Sequence, residues 1–257
     1  MTPHKRIPGH RFLHSPGPTR VPDEVMDAMR RQPMDLADPR LDSVIQSCEN
    51  GLKALLQTAR ADVFMYACNG HGAWEAVIAN LLAPGQQVLI AGTGHFSESW
   101  AIQAEAMGAA VIRTAWREGY PIDVPALEAA LRADTAHAIV AVFVVHTDTA
   151  SGMTSDPARI RQVLDATAHP ALLVVDVVAS LGAAPYAMDG LGANVVLGAS
   201  QKGLMVPRDE SSRRQSFTPV LLGLGEAAKP ALLPQVLRHA AAKPALRPGG
   251  RAGTDFS

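Results

Sequence analysis

ALLVVDVVASLGAAPYAMDGLGANVVLGASQKGLMVP, residues 171–207, is the stretch whose reading decides the fold of this chain. A run of aliphatic residues ends in Asp176. A second apolar run begins at Asn194 and delivers Ser200-Gln201-Lys202, so a carboxylate and an amine stand 26 residues apart. Each is carried on the end of a segment composed like buried core. Burying either charge alone is costly, so a shared task in one cleft is the simplest explanation.

Upstream, the same kind of segment recurs. Apolar runs at Asp62–Tyr66, Gln87–Ala91, Ala110–Arg113, Ala138–His146, Ala171–Asp176 and Asn194–Gly198 read as strands. Helical patterns fall between them at Ala73–Leu82, Ser97–Met107, Val124–Arg132 and Pro157–Thr167, the last with Asp156 as cap and Pro157 at its first position. Two further helices precede the alternation: one capped by Asp23 and running to about Arg31, with Val25, Met26 and Met29 as its apolar stripe, and one over residues 42–59. The alternation predicts an α/β fold, a three-layer domain with a mainly parallel sheet of about six or seven strands.

Composition agrees with a globular chain. Its 257 residues are 47% hydrophobic and 18% charged, with a net charge of −1. No dense basic stretch points to nucleic acid, and no apolar run is long enough for a bilayer span, so neither nucleic acid nor membrane is an expected partner. Cys48 and Cys68 lack CxxC spacing, which argues against a zinc site or a disulfide framework and fits a reducing, cytoplasmic setting; no metal is expected. Residues 1–22 hold five prolines and three histidines and read as an N-terminal arm. Residues 23–207 form the expected domain. From Arg208 to Ser257 the net charge is +4 and no strand pattern is visible, so this segment reads as a poorly ordered tail.

The chemistry proposed for Asp176 and Lys202 is the holding of pyridoxal phosphate, with Lys202 as Schiff-base amine and Asp176 as partner of the pyridinium nitrogen. Asn69-Gly70-His71-Gly72 breaks a strand and opens a helix, a junction suited to a phosphate. Phe96, at the next strand-to-helix junction, can lie against an aromatic ring. In His146-Thr-Asp-Thr-Ala-Ser-Gly152, Thr149 can donate to a ring oxygen, with His146 and Asp148 as alternatives that the sequence does not rank. Val178 shares the side of Asp176, and Ser200 and Gln201 offer phosphate donors. A dehydrogenase reading lacks G-x-G-x-x-G after the first strand. A desulfurase reading lacks a cysteine beyond Lys202.

In this order, FLHSPGPTRVPDEVMDAM (12–29), CNGHGAWEA (68–76), GTGHF (92–96), HTDTASG (146–152), VVDVVASLG (174–182) and GASQKGLMVP (198–207) resemble class V, fold-type I aminotransferases of the alanine–glyoxylate / serine–glyoxylate branch. The resemblance implies that Lys202 forms the internal aldimine and Asp176 pairs with the ring nitrogen. It implies that Asn69, Gly70, His71 and Gln201 face the phosphate, Phe96 and Val178 sandwich the ring, Thr149 touches the ring oxygen, and Gly17 borders the substrate. The implied reaction is ping-pong transfer of an amino group from serine or alanine to glyoxylate or pyruvate, in a homodimer. The family continues into a small C-terminal domain that nothing after Pro207 matches. The expectation is therefore a large domain truncated or frameshifted near Pro207, with an inactive fragment that still holds the cofactor as the alternative.

Overall fold

The computed structural model describes residues 16–17, 19–35, 37–206 and 218–224; the remainder of the expected arm and tail lies outside the described residues. In chain order the elements are α1 (Asp23–Met29), α2 (Pro39–Leu55), β1 (Asp62–Cys68), α3 (Gly70–Leu81), β2 (Gln87–Ala91), α4 (His95–Ala106), β3 (Ala110–Arg113) and α5 (Val124–Ala133). They continue through β4 (Ile139–Val145), β5 (Thr147–Asp148), β6 (Met153–Thr154), α6 (Pro157–Ala166), β7 (Leu172–Asp176), α7 (Met188–Leu191), β8 (Val195–Ala199) and β9 (Thr218–Leu224).

Seven strands form one sheet in the order β1-β9-β8-β7-β4-β2-β3, and β5 pairs with β6 in a separate hairpin. The β2–β3, β2–β4, β4–β7 and β7–β8 pairs are parallel, while β9 is antiparallel to both β1 and β8. Only β9 therefore runs against the rest.

Side-chain alternation splits the core into two layers. Leu89, Val142, Val144, Leu173 and Val175 face one side, where they meet Leu127 and Leu131 of α5 and Ile160 and Leu164 of α6. Val88, Ile90, Phe143, Val174 and Leu197 face the other, against Trp74 and Val77 of α3 and Trp100 of α4. With both faces covered, the strands carry continuous apolar runs rather than polar alternation. Asp176 follows Val174 by two residues and so belongs to the α3/α4 side of the sheet.

Three local expectations differ from what is found. Pro22, not Asp23, occupies the N-cap of α1, with no side-chain bond there, and Asp23 instead places its charge in the first turn. The stripe of α1 is not buried: Met26 and Met29 are 42% and 59% exposed and Val25 is half-buried, and Val44 and Ile45 of α2 are exposed as well. Lastly, the segment expected to have no strand contains β9. Proline removes a ladder donor, and Pro219 pairs only with Ala67 of β1 and lies beyond the residues that pair with β8. The gap between β1 and β8 exposes two unpaired strand edges, and filling it satisfies both.

Candidate active site

At the carboxyl ends of the central strands lies a cavity of about 340 Å³, lined by Gly17, Asn69, Gly70, His71, Phe96, Thr149, Asp176, Val178, Gln201 and Lys202 together with Trp74 and four other residues. These ten positions were all singled out from the sequence and meet there, whereas His146, Asp148 and Ser200, singled out with them, are not in the lining. The turn after β7 and the turn after β8 are pressed together backbone to backbone. A Cβ on Gly203 would stand 2.2 Å from the Leu181 carbonyl oxygen, so only glycine lets Lys202 approach the Asp176 loop this closely.

Asp176 is 4% exposed and its two carboxylate oxygens are held separately. Val178 N–H donates to Oδ1 at 2.7 Å and the Trp74 indole Nε1–H donates to Oδ2 at 2.7 Å. Burial pushes its pKa up to about 6, against the opposing pull of Val178 N–H, the Trp74 indole and Lys202; the charge of Asp148 adds to the rise. Lys202 is half-buried. Burial lowers its pKa, while the Asp176 and Asp148 carboxylates work the other way. Its Nζ donates to Thr149 Oγ1 at 3.0 Å and stands 5.8 Å from the centre of the Phe96 ring.

Of the three candidates in the loop after β4, geometry separates one. Thr149 lines the cavity. His146 turns its Nδ1 to Ser180 Oγ at 2.7 Å, on the far side of the strand. Asp148 is fully buried and engaged by Phe96 N–H at 2.9 Å, Thr93 Oγ1–H at 3.3 Å and Ala150 N–H at 3.0 Å. Asp148 thus caps α4 from another strand, because the N-cap position itself is Gly94, which has no side chain to offer. Ser200, expected as a phosphate donor, is buried outside the cavity lining.

The donor set fits pyridoxal phosphate. α3 presents its N-terminal end to the cavity through Asn69, Gly70 and His71, with Asn69 Oδ1 accepting from Gly72 N–H at 3.0 Å. Beside Lys202, the buried Gln201 Oε1 has no hydrogen-bond partner among the described residues, a polar atom awaiting a polar ligand. An aromatic face, an aliphatic side chain, one buried carboxylate and one amine complete the wall.

The family model for class-V aminotransferases matches residues 11–208. The chain belongs to the class-V aminotransferase family. Among its relatives, the L-aspartate–glyoxylate aminotransferase of Paracoccus denitrificans is 40% identical over 194 residues, covering 75% of this chain and 48% of the relative. The serine–glyoxylate aminotransferase of Methylorubrum extorquens is 39% identical over 202 residues, covering 79% of this chain and 50% of the relative. Among solved structures, the alanine–glyoxylate aminotransferase of Nostoc sp. superposes with a TM-score of 0.75 at 26% identity, covering 91% of this chain and 58% of that one. This class-V chain thus spans about half the length of the curated relatives it matches. No helix among its described residues is long and apolar enough to cross a membrane, and no cluster of metal-ligating side chains is found among them.

Trp74 is the site residue that sequence reading missed. It stacks on Trp100 with centroids 5.6 Å apart, and Trp100 stacks on Phe143 at 4.4 Å. Its signal was present: it follows His71 by three residues and Gly70 by four on one helix, so all three share a face.

Proposed function

We propose that this chain is the cofactor-holding part of a pyridoxal-phosphate-dependent aminotransferase that passes an amino group to glyoxylate. The observation that carries the reading is the convergence of Asp176 and Lys202, each strand-borne and buried or half-buried, on one cavity. When bound, the cofactor supplies a carbonyl carbon for amine attachment and an electron-accepting ring that relieves charge on the substrate's α-carbon.

The chain's own groups have separable tasks. Lys202 would hold the cofactor through Nζ and would move the substrate's α-proton; its lowered pKa favours the free amine that both tasks need. Asp176 holds a proton on the ring nitrogen. Asn69, Gly70, His71 and Gln201 bind the phosphate, Phe96 and Val178 flank the ring, and Thr149 meets the ring oxygen. Gly17, whose missing Cβ would lie 3.7 Å from Lys202 Cγ, borders the substrate. Relatives named as aminotransferases share glyoxylate in the name and differ in donor, so serine, alanine and aspartate are all candidates. The exposed apolar residues of α1 and α2 support a dimer with a second copy.

A second reading is a chain that holds the cofactor without turnover. The test adds serine, alanine and aspartate in turn to the cofactor-loaded chain and measures the matching 2-oxo acid. Release of oxo acid, followed by glycine on adding glyoxylate, supports the transaminase. A loaded chain that releases none with any donor is the holding form alone.

A further inference from the structure

Trp74 is not explained by packing alone. The stack contains two buried tryptophans with parallel rings, and only one of them has a use for its N–H. Among the described residues Trp100 Nε1 is buried without a hydrogen-bond partner, whereas Trp74 Nε1 reaches across 102 residues of sequence to Asp176 Oδ2. We infer that Trp74 is a positioning residue for this site, its indole N–H fixing the Asp176 carboxylate in the orientation and hydrogen-bonding state that a protonated ring nitrogen requires. The inference rests on the proposed cofactor reading and deepens it.

The geometry has three parts. First, the two oxygens of Asp176 are held by donors from different elements, Val178 from its own loop and Trp74 from α3, so the carboxylate plane cannot rotate. A carboxylate offers about four acceptor sites, so two remain for a cationic N–H in the cavity. Second, Trp74 is itself immobilised. Trp100 covers one face, and His71 and Phe96 meet it edge-on at centroid distances of 4.7 and 6.4 Å. Third, α3 carries both the phosphate-side residues Gly70 and His71 and this donor, so one rigid helix sets both ends of the cofactor seat.

Electrostatics supports the assignment. The titratable and charged groups around Asp176 are Lys202 after β8, Asp148 in β5 and His71 on α3. His146 after β4 gives only its backbone N–H, to the Asp176 carbonyl oxygen at 2.9 Å. Burial favours the neutral acid, and the Trp74 donor is one of the few opposing influences. A phenylalanine at position 74 would keep the stack and remove that influence.

The experiment uses the full chain without cofactor, its aspartate carboxyl carbons labelled with ¹³C and the Asp176 signal assigned from Asp176→Asn. Trp74→Phe is expected to raise the Asp176 titration midpoint by about one pH unit, the size of one lost charge-assisted hydrogen bond. Trp100→Phe, the same chemical change in the same stack, leaves the midpoint where it is. In unmodified chain the Trp74 indole N–H resonance follows the Asp176 titration and loses that dependence in Asp176→Asn, which decides the question even where Trp74→Phe does not fold. With pyridoxal phosphate added, Trp74→Phe weakens binding about tenfold and has no further effect on top of Asp176→Asn. An Asp176 titration equal in Trp74→Phe and wild type, or an indole signal indifferent to pH, overturns the inference. Failure of the wild-type chain to take up the cofactor would instead defeat the proposed function, leaving the carboxyl titration to judge Trp74.

Discussion

Two buried aspartates lie near the carboxyl ends of neighbouring strands, Asp148 beyond β4 and Asp176 at the end of β7, and they do opposite jobs. Asp148 is closed off. Three donors from the α4 junction and its own loop bond to it, and it is absent from the cavity wall. Asp176 has two donors and also lines the cavity that it shares with Lys202. The lesson is that burial of a carboxylate does not mark a reactive site; incomplete satisfaction next to a cavity does.

The largest effect expected from this contrast is a pH dependence belonging to Asp176. Its pKa rises from 3.8 to about 6 on folding, so the folded chain binds this proton more tightly than the unfolded chain. The resulting stabilisation is fully present below pH 3.8 and is lost as pH rises through about 6. A shift of that size amounts to about 3 kcal/mol. Urea unfolding of the cofactor-free chain between pH 4 and 8 should show this fall in wild type and not in Asp176→Asn. Parallel curves for the two would erase the distinction between the carboxylates.

Next in size, Asp148→Ala strands the Phe96 and Ala150 N–H groups and should cost about 2 kcal/mol at neutral pH. The same unfolding assay reads it, and a loss under about 0.5 kcal/mol, the range of an ordinary surface change, would mean that the α4 cap does not depend on this carboxylate. Smaller again is Gly94→Ala. Gly94 has φ +150°, and a Cβ there would lie 2.9 Å from Asp148 Oδ2. The expected loss is about 1.5 kcal/mol, part of it recovered in the Asp148→Ala background, where the clashing oxygen is gone. Full additivity of the two changes would show that they do not share a contact.

Much of this architecture was legible in the sequence because parallel strands covered on both faces leave continuous Val/Ile/Leu runs. The predicted Gln87–Ala91 and Ala110–Arg113 match β2 and β3 residue for residue. Asp156 and Pro157 start α6 as read, with Ile160, Val163 and Leu164 buried. What escaped was set by distant partners. The β9 strand forms in a gap that only the assembled β1 and β8 create. The apolar stripe of α1 was visible but not what covers it, because periodicity reports amphipathicity and not the identity of the covering surface. Within the site, residue types that advertise chemistry were found, whereas Trp74 looked like core because its donor atom meets Asp176 only after α3 docks on β7. Among Thr149, His146 and Asp148, the choice needed the hairpin of β5 and β6, whose two-residue strands are too short to leave a pattern.

The most direct measurement incubates the full chain with pyridoxal phosphate, reduces it with borohydride and maps the added mass onto peptides. The chain has five lysines, at positions 5, 53, 202, 229 and 243. The account predicts label on Lys202, lower occupancy in Asp176→Asn and none at that peptide in Lys202→Ala. Label scattered over Lys5, Lys53, Lys229 and Lys243 with Lys202 spared, or no label at all, would contradict it.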